Sequence, residues 1–186
     1  MRIEPTKIAD VVRIIPRRFA DDRGHFVEVF NQRNLQAVGI DFRPVQENHS
    51  LSRIVGTVSG LHFQRAPHTQ AKIIRVLSGR IFDVAVDIRA GSPTWRQWVG
   101  VELSSDGGEQ LSIPAGFAHG FCTLEPDTEV AYLVDANYSP ECDGAIQWND
   151  ESLGIDWPRV AGAVVSAKDE KAPKLAEIDA PFVFQG

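Results

Sequence analysis

RIFDVAVDI, residues 80–88, carries two different faces along one short run. At the strand period of two, Phe82, Val84, Val86 and Ile88 fall on one side, and Ile81, Asp83, Ala85 and Asp87 on the other. An apolar outer face and a mixed inner face suit a wall of a small barrel whose lumen holds a ligand site. Alternation by itself favours a plainer assignment, in which Asp83 and Asp87 face solvent.

Similar runs lie on both sides of this one. HFVEVF (25–30), the segment through VSGLHFQ (58–64), AKIIRVL (71–77), QWVGVEL (97–103), EQLSI (109–113), HGFCTL (119–124) and TEVAYLV (128–134) are β-rich and bounded by Gly, Pro, Ser or Asp. LSGR (77–80) and SDGG (105–108) read as turns. NQRNLQAVG (31–39) predicts a helix that Gly39 stops, and the tail from Ser166 reads as loop with short helical pieces. No repeat or low-complexity linker divides the chain. The expectation is an all-β jelly-roll barrel with a few short peripheral helices, formed as a single domain over residues 1–186.

Composition narrows the class. At 186 residues the chain can bury a full core, and 43% hydrophobic with 24% charged residues is ordinary for a globular protein. A net charge of −6 argues against nucleic acid as a partner, because phosphate binding relies on a basic excess. MRIEPTKIADVV scatters charges where a signal peptide would be apolar, and no window has the roughly 18 apolar residues of a membrane span. Cys122 and Cys142 lie in no CxxC pair and form no disulfide framework. The expectation is a cytoplasmic protein with no membrane partner.

Two segments carry the chemistry. GEQLSIPAGFAHGF (108–121) spaces Gly108, Pro114, Gly116 and His119 as G-x5-P-x-G-x2-H, so a tight Pro-x-Gly turn delivers His119 at the start of a strand. This is similar to the second motif of the cupin superfamily. GLHFQRAPHTQAK (60–72) places His62 between Leu61 and Phe63, His68 in a proline-containing loop, and Lys72 at the start of the next apolar run. Cupin metal sites take an H-x-H pair and a glutamate from this first motif. Here one imidazole stands where a pair is wanted, no glutamate follows, and Lys72 would repel a divalent ion. Two imidazoles fall short of the three protein ligands of a catalytic zinc site, so no metal is expected.

His62, Lys72, Asp83, His119 and Tyr132 still need a reason to converge inside an apolar barrel. Any one alone reads as a satisfied core or rim residue. Several on consecutive strands point elsewhere, because each buried polar group costs free energy unless it is satisfied. The set fits proton abstraction next to a carbonyl, which needs a base, a cation or donor for the developing enolate, and an acid on the far side.

From about Phe19 to about Pro173 the chain resembles the dTDP-4-dehydrorhamnose 3,5-epimerases, cupin-fold enzymes of deoxysugar nucleotides. The matching motifs are DDRGHFVEVFN, QENHSLS, GLHFQ, the AKIIRVLSGRIFDVAVDIR block, SPT followed by QWVGVELS, IPAGFAHGF, AYLVDANYSPE, LGIDWP and SAKD. The resemblance implies His62 as general base, Asp169 as its partner and Tyr132 as the acid. Lys72 and His119 would line the sugar and the enolate oxygen. Arg23, Glu28, Gln46 and Asn48 match nucleotide-binding positions, Phe26 is implied to stack on the thymine, and Tyr138, Asp143 and Lys168 match further binding positions. The N-terminal residues are implied to complete a neighbouring subunit's site, hence a homodimer. The implied substrate is a dTDP-4-keto-6-deoxysugar, inverted at C3 and C5 without a metal or any other cofactor.

Two positions depart from the family pattern. Ser59 stands where an arginine usually precedes Gly-Leu-His, with Arg53 and Arg65 as nearby cations, and Leu133 follows the tyrosine where a lysine is common. The competing readings are an epimerase of a single centre, C3 or C5, a sugar nucleotide 3,4-ketoisomerase, a sugar-nucleotide binding protein without catalysis, and a metal-dependent cupin enzyme.

Overall fold

The computed structural model describes residues 1–158 and 162–185. The chain opens with the hairpin β1 (Arg2–Pro5) and β2 (Val12–Ile15), followed by a second hairpin, β3 (Arg18–Asp21) and β4 (Gly24–Val27). Helix α1 (Gln32–Ala37) leads into β5 (Gln46–Ser52) and β6 (Thr57–Gln64). Next come β7 (Lys72–Ser78), β8 (Arg80–Asp87), the short β9 (Arg89–Ala90) and β10 (Trp98–Ser104). After β11 (Gln110–Ile113), β12 (Phe117–Thr123) and β13 (Thr128–Val134), only short pieces remain. These are β14 (Asp143–Ala145), β15 (Val164–Val165), helix α2 (Ala167–Glu170), a 3-10 turn at Leu175–Glu177 and β16 (Phe182–Val183).

Two sheets carry the fold. One has the order β1-β2-β11-β7-β13-β5; the other runs β10-β8-β12-β6-β14, with β15 added in parallel to β6. One core fills the space between them, built from residues such as Ile74, Ile81, Ala85, Leu111, Phe117 and Val130. The outer face of each sheet is also covered. Leu35 of α1 and Phe42 pack on Ile14 and Ile73, and Leu153 and Leu175 of the tail pack on Val84, Val86 and Ala118. Fully burying an aliphatic side chain is worth about 1.5–3 kcal/mol. The coverings are therefore part of what holds the jelly roll together.

The expected strands are present with shifted ends. HFVEVF stops pairing at Val27, and the strand with His119 begins two residues earlier, at Phe117. β1, β2 and β5 are additional strands that the apolar pattern does not mark. Helix α1 falls inside the expected 31–39, with the Asn31 side chain accepting from the Asn34 N–H and Gly39 leaving the helix at φ +88°.

Asp83 and Asp87 correct the solvent-facing assignment, since both have no exposed surface. Tail residues cover the apolar face of β8, which turns its mixed face into the lumen. Asp87 serves the structure there, accepting from the Arg89 backbone and guanidinium and from the Ser92 and Thr94 hydroxyls. Burial raises its carboxyl, and these donors together hold it below the usual range. Asp83 has different neighbours, described next.

Candidate active site

β6 and β12 pair side by side in the inner sheet, with His62 and His119 in register. The ladder slips between His119 and Phe121, where Gly120 and Gly60 pass backbone against backbone. A Cβ on Gly120 would lie 2.6 Å from the Ser59 carbonyl oxygen, and Gly60 also holds φ at +114°. Glycine is thus required where the two histidine strands approach most closely. The Pro114-Ala115-Gly116 turn, with Gly116 at φ +92°, starts β12 two residues before His119.

His62 Nε2 lies 2.6 Å from Asp169 Oδ1. The second carboxylate oxygen accepts the Gly60 N–H at 3.2 Å, and the Ser166 hydroxyl caps the short α2 by accepting the Asp169 N–H at 3.1 Å. Asp169 is buried, although it lies in a tail that reads from sequence as loop with short helical pieces. Burial raises its carboxyl, but hydrogen bonds from His62, Gly60 and Ser166 outweigh that and hold it below the usual carboxylate range. An ionised Asp169 accepts the hydrogen bond of Nε2–H and leaves the imidazole lone pair on Nδ1, the arrangement a general base needs.

His119 forms a second such couple, with Nε2 at 3.0 Å from both oxygens of Asp83. Each imidazole is thereby committed to an aspartate. No group of three potential metal ligands comes together among the described residues.

Two cavities share His62, Lys72 and Tyr132 in their walls. One, of about 410 Å³, extends past His119 and Phe121 to Ser50, Ser52, Thr57, Ser59 and the β15 strap. The other, of about 280 Å³, is lined by Gln46, Asn48, Gln70, Tyr138, Asp143 and Lys168. Burial lowers Lys72 to about 8 despite the opposing charges of Asp83 and Asp143. Burial also raises the Tyr132 hydroxyl, so it keeps its proton at neutral pH. His62 on β6 and Tyr132 on β13 come from opposite sheets, so an acid and a base face one cavity from two sides.

The second cavity is organised by side chains. Gln46 donates to Asn48 at 2.7 Å and accepts the Tyr138 N–H at 3.0 Å, while Lys168 is paired with Asp143. Tyr138 itself is 54% exposed, so its ring is open to a ligand. Gln64, absent from the expected set, ties the rim together by donating to the His68 and Asn137 carbonyls and accepting the Ser139 N–H. His68 belongs to this exposed rim loop.

Arg23, Phe26 and Glu28 lie elsewhere. Arg23 pairs with Asp21, Glu28 accepts from Asn31 and Asn34, and the β3–β4 hairpin lines neither cavity of its own chain. Arg23 and Glu28 therefore do not form an ion pair with each other. Phe26 is 69% exposed and leans on Phe19 at a ring separation of 6.5 Å. Ser59 lines the larger cavity, but neither Arg53, paired with Asp127, nor Arg65, over the Phe63 ring, does so. Ser52, Thr57, Val164 and Val165 were not legible as site residues, since small hydroxyl and valine side chains carry no chemical signature.

Comparison with known proteins gives one consistent family. The family model described as dTDP-4-dehydrorhamnose 3,5-epimerase matches residues 5–177. A dTDP-4-dehydrorhamnose 3,5-epimerase of Sinorhizobium fredii is 47% identical over 184 residues, covering 99% of this chain and 94% of that protein. The dTDP-6-deoxy-D-glucose-3,5-epimerase of Legionella pneumophila, solved with dTDP-4-keto-L-rhamnose, superposes with a TM-score of 0.94 at 43% identity, covering 100% of this chain and 99% of that one. A 3'-monoepimerase of Streptomyces bikiniensis, solved with dTDP-quinovose, gives 0.86 at 33% identity, covering 92% of this chain and 87% of that one.

Proposed function

This chain belongs to the dTDP-4-dehydrorhamnose 3,5-epimerase family, and we propose that it inverts C3 and C5 of dTDP-4-keto-6-deoxy-D-glucose to give dTDP-4-keto-L-rhamnose. The observation that carries the reading is the placement of His62 and Tyr132 on opposite sheets around one cavity, with Lys72 between them. The C4 ketone acidifies the C–H bonds on both neighbouring carbons. His62 Nδ1 takes one of these protons, and the C–H electron pair moves through the new C=C onto O4, where Lys72 stabilises the enolate. Tyr132 returns a proton from the opposite face, which inverts the centre, and the cycle repeats at the second carbon. General acid–base assistance is worth about 10²–10⁴-fold, so enolate stabilisation by Lys72 and neighbouring donors must supply much of the remainder. Between the two inversions His62 releases its proton to solvent and Tyr132 regains one from it, so the cycle closes with no net change in protons or electrons and calls on no metal or cofactor.

In this reading the sugar lies in the larger cavity, bounded by His119 and Ser59. The nucleotide extends past Gln46, Asn48, Asp143 and Lys168 to the exposed ring of Tyr138. Arg23, Phe26 and Glu28 act on a second copy of the chain, as part of a homodimer in which each site uses both protomers. An otherwise unexplained pair of exposed phenylalanines on the hairpin supports this. The chain acts as one domain in the cytoplasm, consistent with two unpaired buried cysteines and with no described helix long and apolar enough to cross a membrane.

Similarity to a monoepimerase, together with Ser59, gives a second reading in which one centre alone is inverted. Reaction of dTDP-4-keto-6-deoxyglucose in heavy water, read by NMR at C3 and C5, separates the two. Deuterium with inversion at both carbons is the expected result. Label at one carbon would establish the single-centre activity, and label at neither would sink both.

A further inference from the structure

We propose that Asp83 is a positioning residue for this reaction, keeping the Lys72 ammonium charged through its field while leaving the ammonium's donors free for substrate. The proposal rests on the enolate chemistry assigned to Lys72 above.

Asp83 sits on β8 with its side chain in the lumen and no exposed surface. Its hydrogen-bond donor among the described residues is His119 Nε2, shared between the two oxygens at 3.0 Å each. A carboxylate offers about four acceptor positions, so one shared N–H leaves its charge poorly compensated. Burial accordingly pushes the carboxyl upward, against the pull of His119 and Lys72. Lys72 on β7 belongs to the opposite sheet. It too is buried, and among the described residues its ammonium makes no ion pair and no hydrogen bond.

His119, which binds Asp83, and Lys72 line the same cavity, so the two buried charges act on each other by field and not by contact. Asp83 is the leading favourable charge on Lys72, ahead of Asp143. Asp143 is in direct contact with Lys168, and Asp169 is engaged by His62. The remaining titratable groups around the cavity, His62, His119 and Tyr132, carry no fixed negative charge at neutral pH. A direct Lys72–Asp83 bridge would occupy the donors that the enolate oxygen needs, and O4 would have to displace a carboxylate. His119 prevents this by binding the carboxylate itself. The enolate then meets a charged donor with no prior commitment.

The sign of the coupling fixes the test. Removing the Asp83 charge destabilises the ammonium, so Lys72 must lose its proton at lower pH. Asp83→Asn preserves shape and an oxygen for His119, which makes it the first variant. The Lys72 side-chain signal, identified by its loss in Lys72→Met, is followed by lysine-selective NMR against pH without substrate. The wild-type midpoint is expected near 8. In D83N it should fall by a unit or more, with the alkaline limb of kcat moving the same way. At pH 7.5 a one-unit fall should lower kcat by about threefold, and a larger fall by more, while KM changes little. A folded D83N with the wild-type midpoint would overturn the proposal. If D83N does not fold, the reciprocal measurement decides: in Lys72→Met the Asp83 carboxyl must titrate at higher pH than in wild type, and an unchanged value overturns the proposal. The midpoints need no substrate, so they stand or fall separately from the heavy-water result.

Discussion

At the residue scale, the site separates groups that sequence makes look alike. His62 and His119 occupy adjacent register positions and each hydrogen-bonds an aspartate through Nε2. Their aspartates differ in environment. Several donors hold Asp169 below the usual carboxyl range, whereas burial raises Asp83. Asp169 also accepts the Gly60 N–H and rides on the capped α2, which fixes the His62 ring in the wall of both cavities and supports His62 as the proposed base, with His119 on the wall of the larger cavity alone. Replacing His62 by Ala should leave the thermal transition near wild type and lower kcat by about 10³-fold or more. Replacing Tyr132 by Phe should do the same to turnover while retaining binding of dTDP. Steady-state kinetics with circular dichroism checks both, and near wild-type turnover in either variant would refute that residue's role.

At the element scale, the site depends on backbone more than on any single polar contact. β15 and α2 return the tail to β6, and Ser166 at the start of α2 fixes the segment that carries Asp169. The other device is the Gly60–Gly120 crossing, where β6 and β12 approach too closely for a side chain. Gly120→Ala forces a methyl group to within 2.6 Å of the Ser59 carbonyl, so the strands must part. The expected cost is about 1–3 kcal/mol, seen as a lower Tm, with a larger loss of kcat than stability alone explains, because His62 and His119 flank the crossing. An alanine variant of full activity would mean that the histidine spacing is not critical. β5 teaches a related lesson. QENHSLS has hardly any apolar residues, yet it is a strand, because β13 pairs it along its length while Gln46, Asn48, Ser50 and Ser52 face the cavities. A hydrophobic pattern cannot mark a strand whose inner face is turned to ligand.

For the whole molecule, the main question is where the β3–β4 hairpin goes. It holds Arg23 and Phe26 away from the cavities of its own chain. If it completes a neighbour's site, His62→Ala and Phe26→Ala chains should complement each other. A mixed dimer then contains one site with both changes and one site with neither. Co-refolding equal amounts should restore roughly a quarter of wild-type activity, half of the dimers being mixed with one good site each. Activity no greater than the mean of the two parent variants would place the hairpin outside the partner's site.

How much of this was written in the sequence varies with the kind of information. Strand periodicity and the Pro-x-Gly turn before His119 were enough for an all-β jelly roll, because they depend on local geometry, and the motif set named His62, Lys72, His119 and Tyr132, which the structure brings to one cavity. Other features needed more than local pattern. The burial of Asp83 depends on a tail some 70 residues later covering the opposite face of its strand. The pairing of His62 with Asp169 joins positions 107 residues apart, so the family resemblance implied it where spacing could not. The lowered affinity of Lys72 for its proton comes from burial between two sheets. The sequence by itself determined which groups the protein has and the faces on which its strands present them. Only the tertiary structure decided which of those faces are sealed from water, and burial together with the hydrogen bonds made there sets Lys72 and Asp169 apart from an exposed lysine and aspartate.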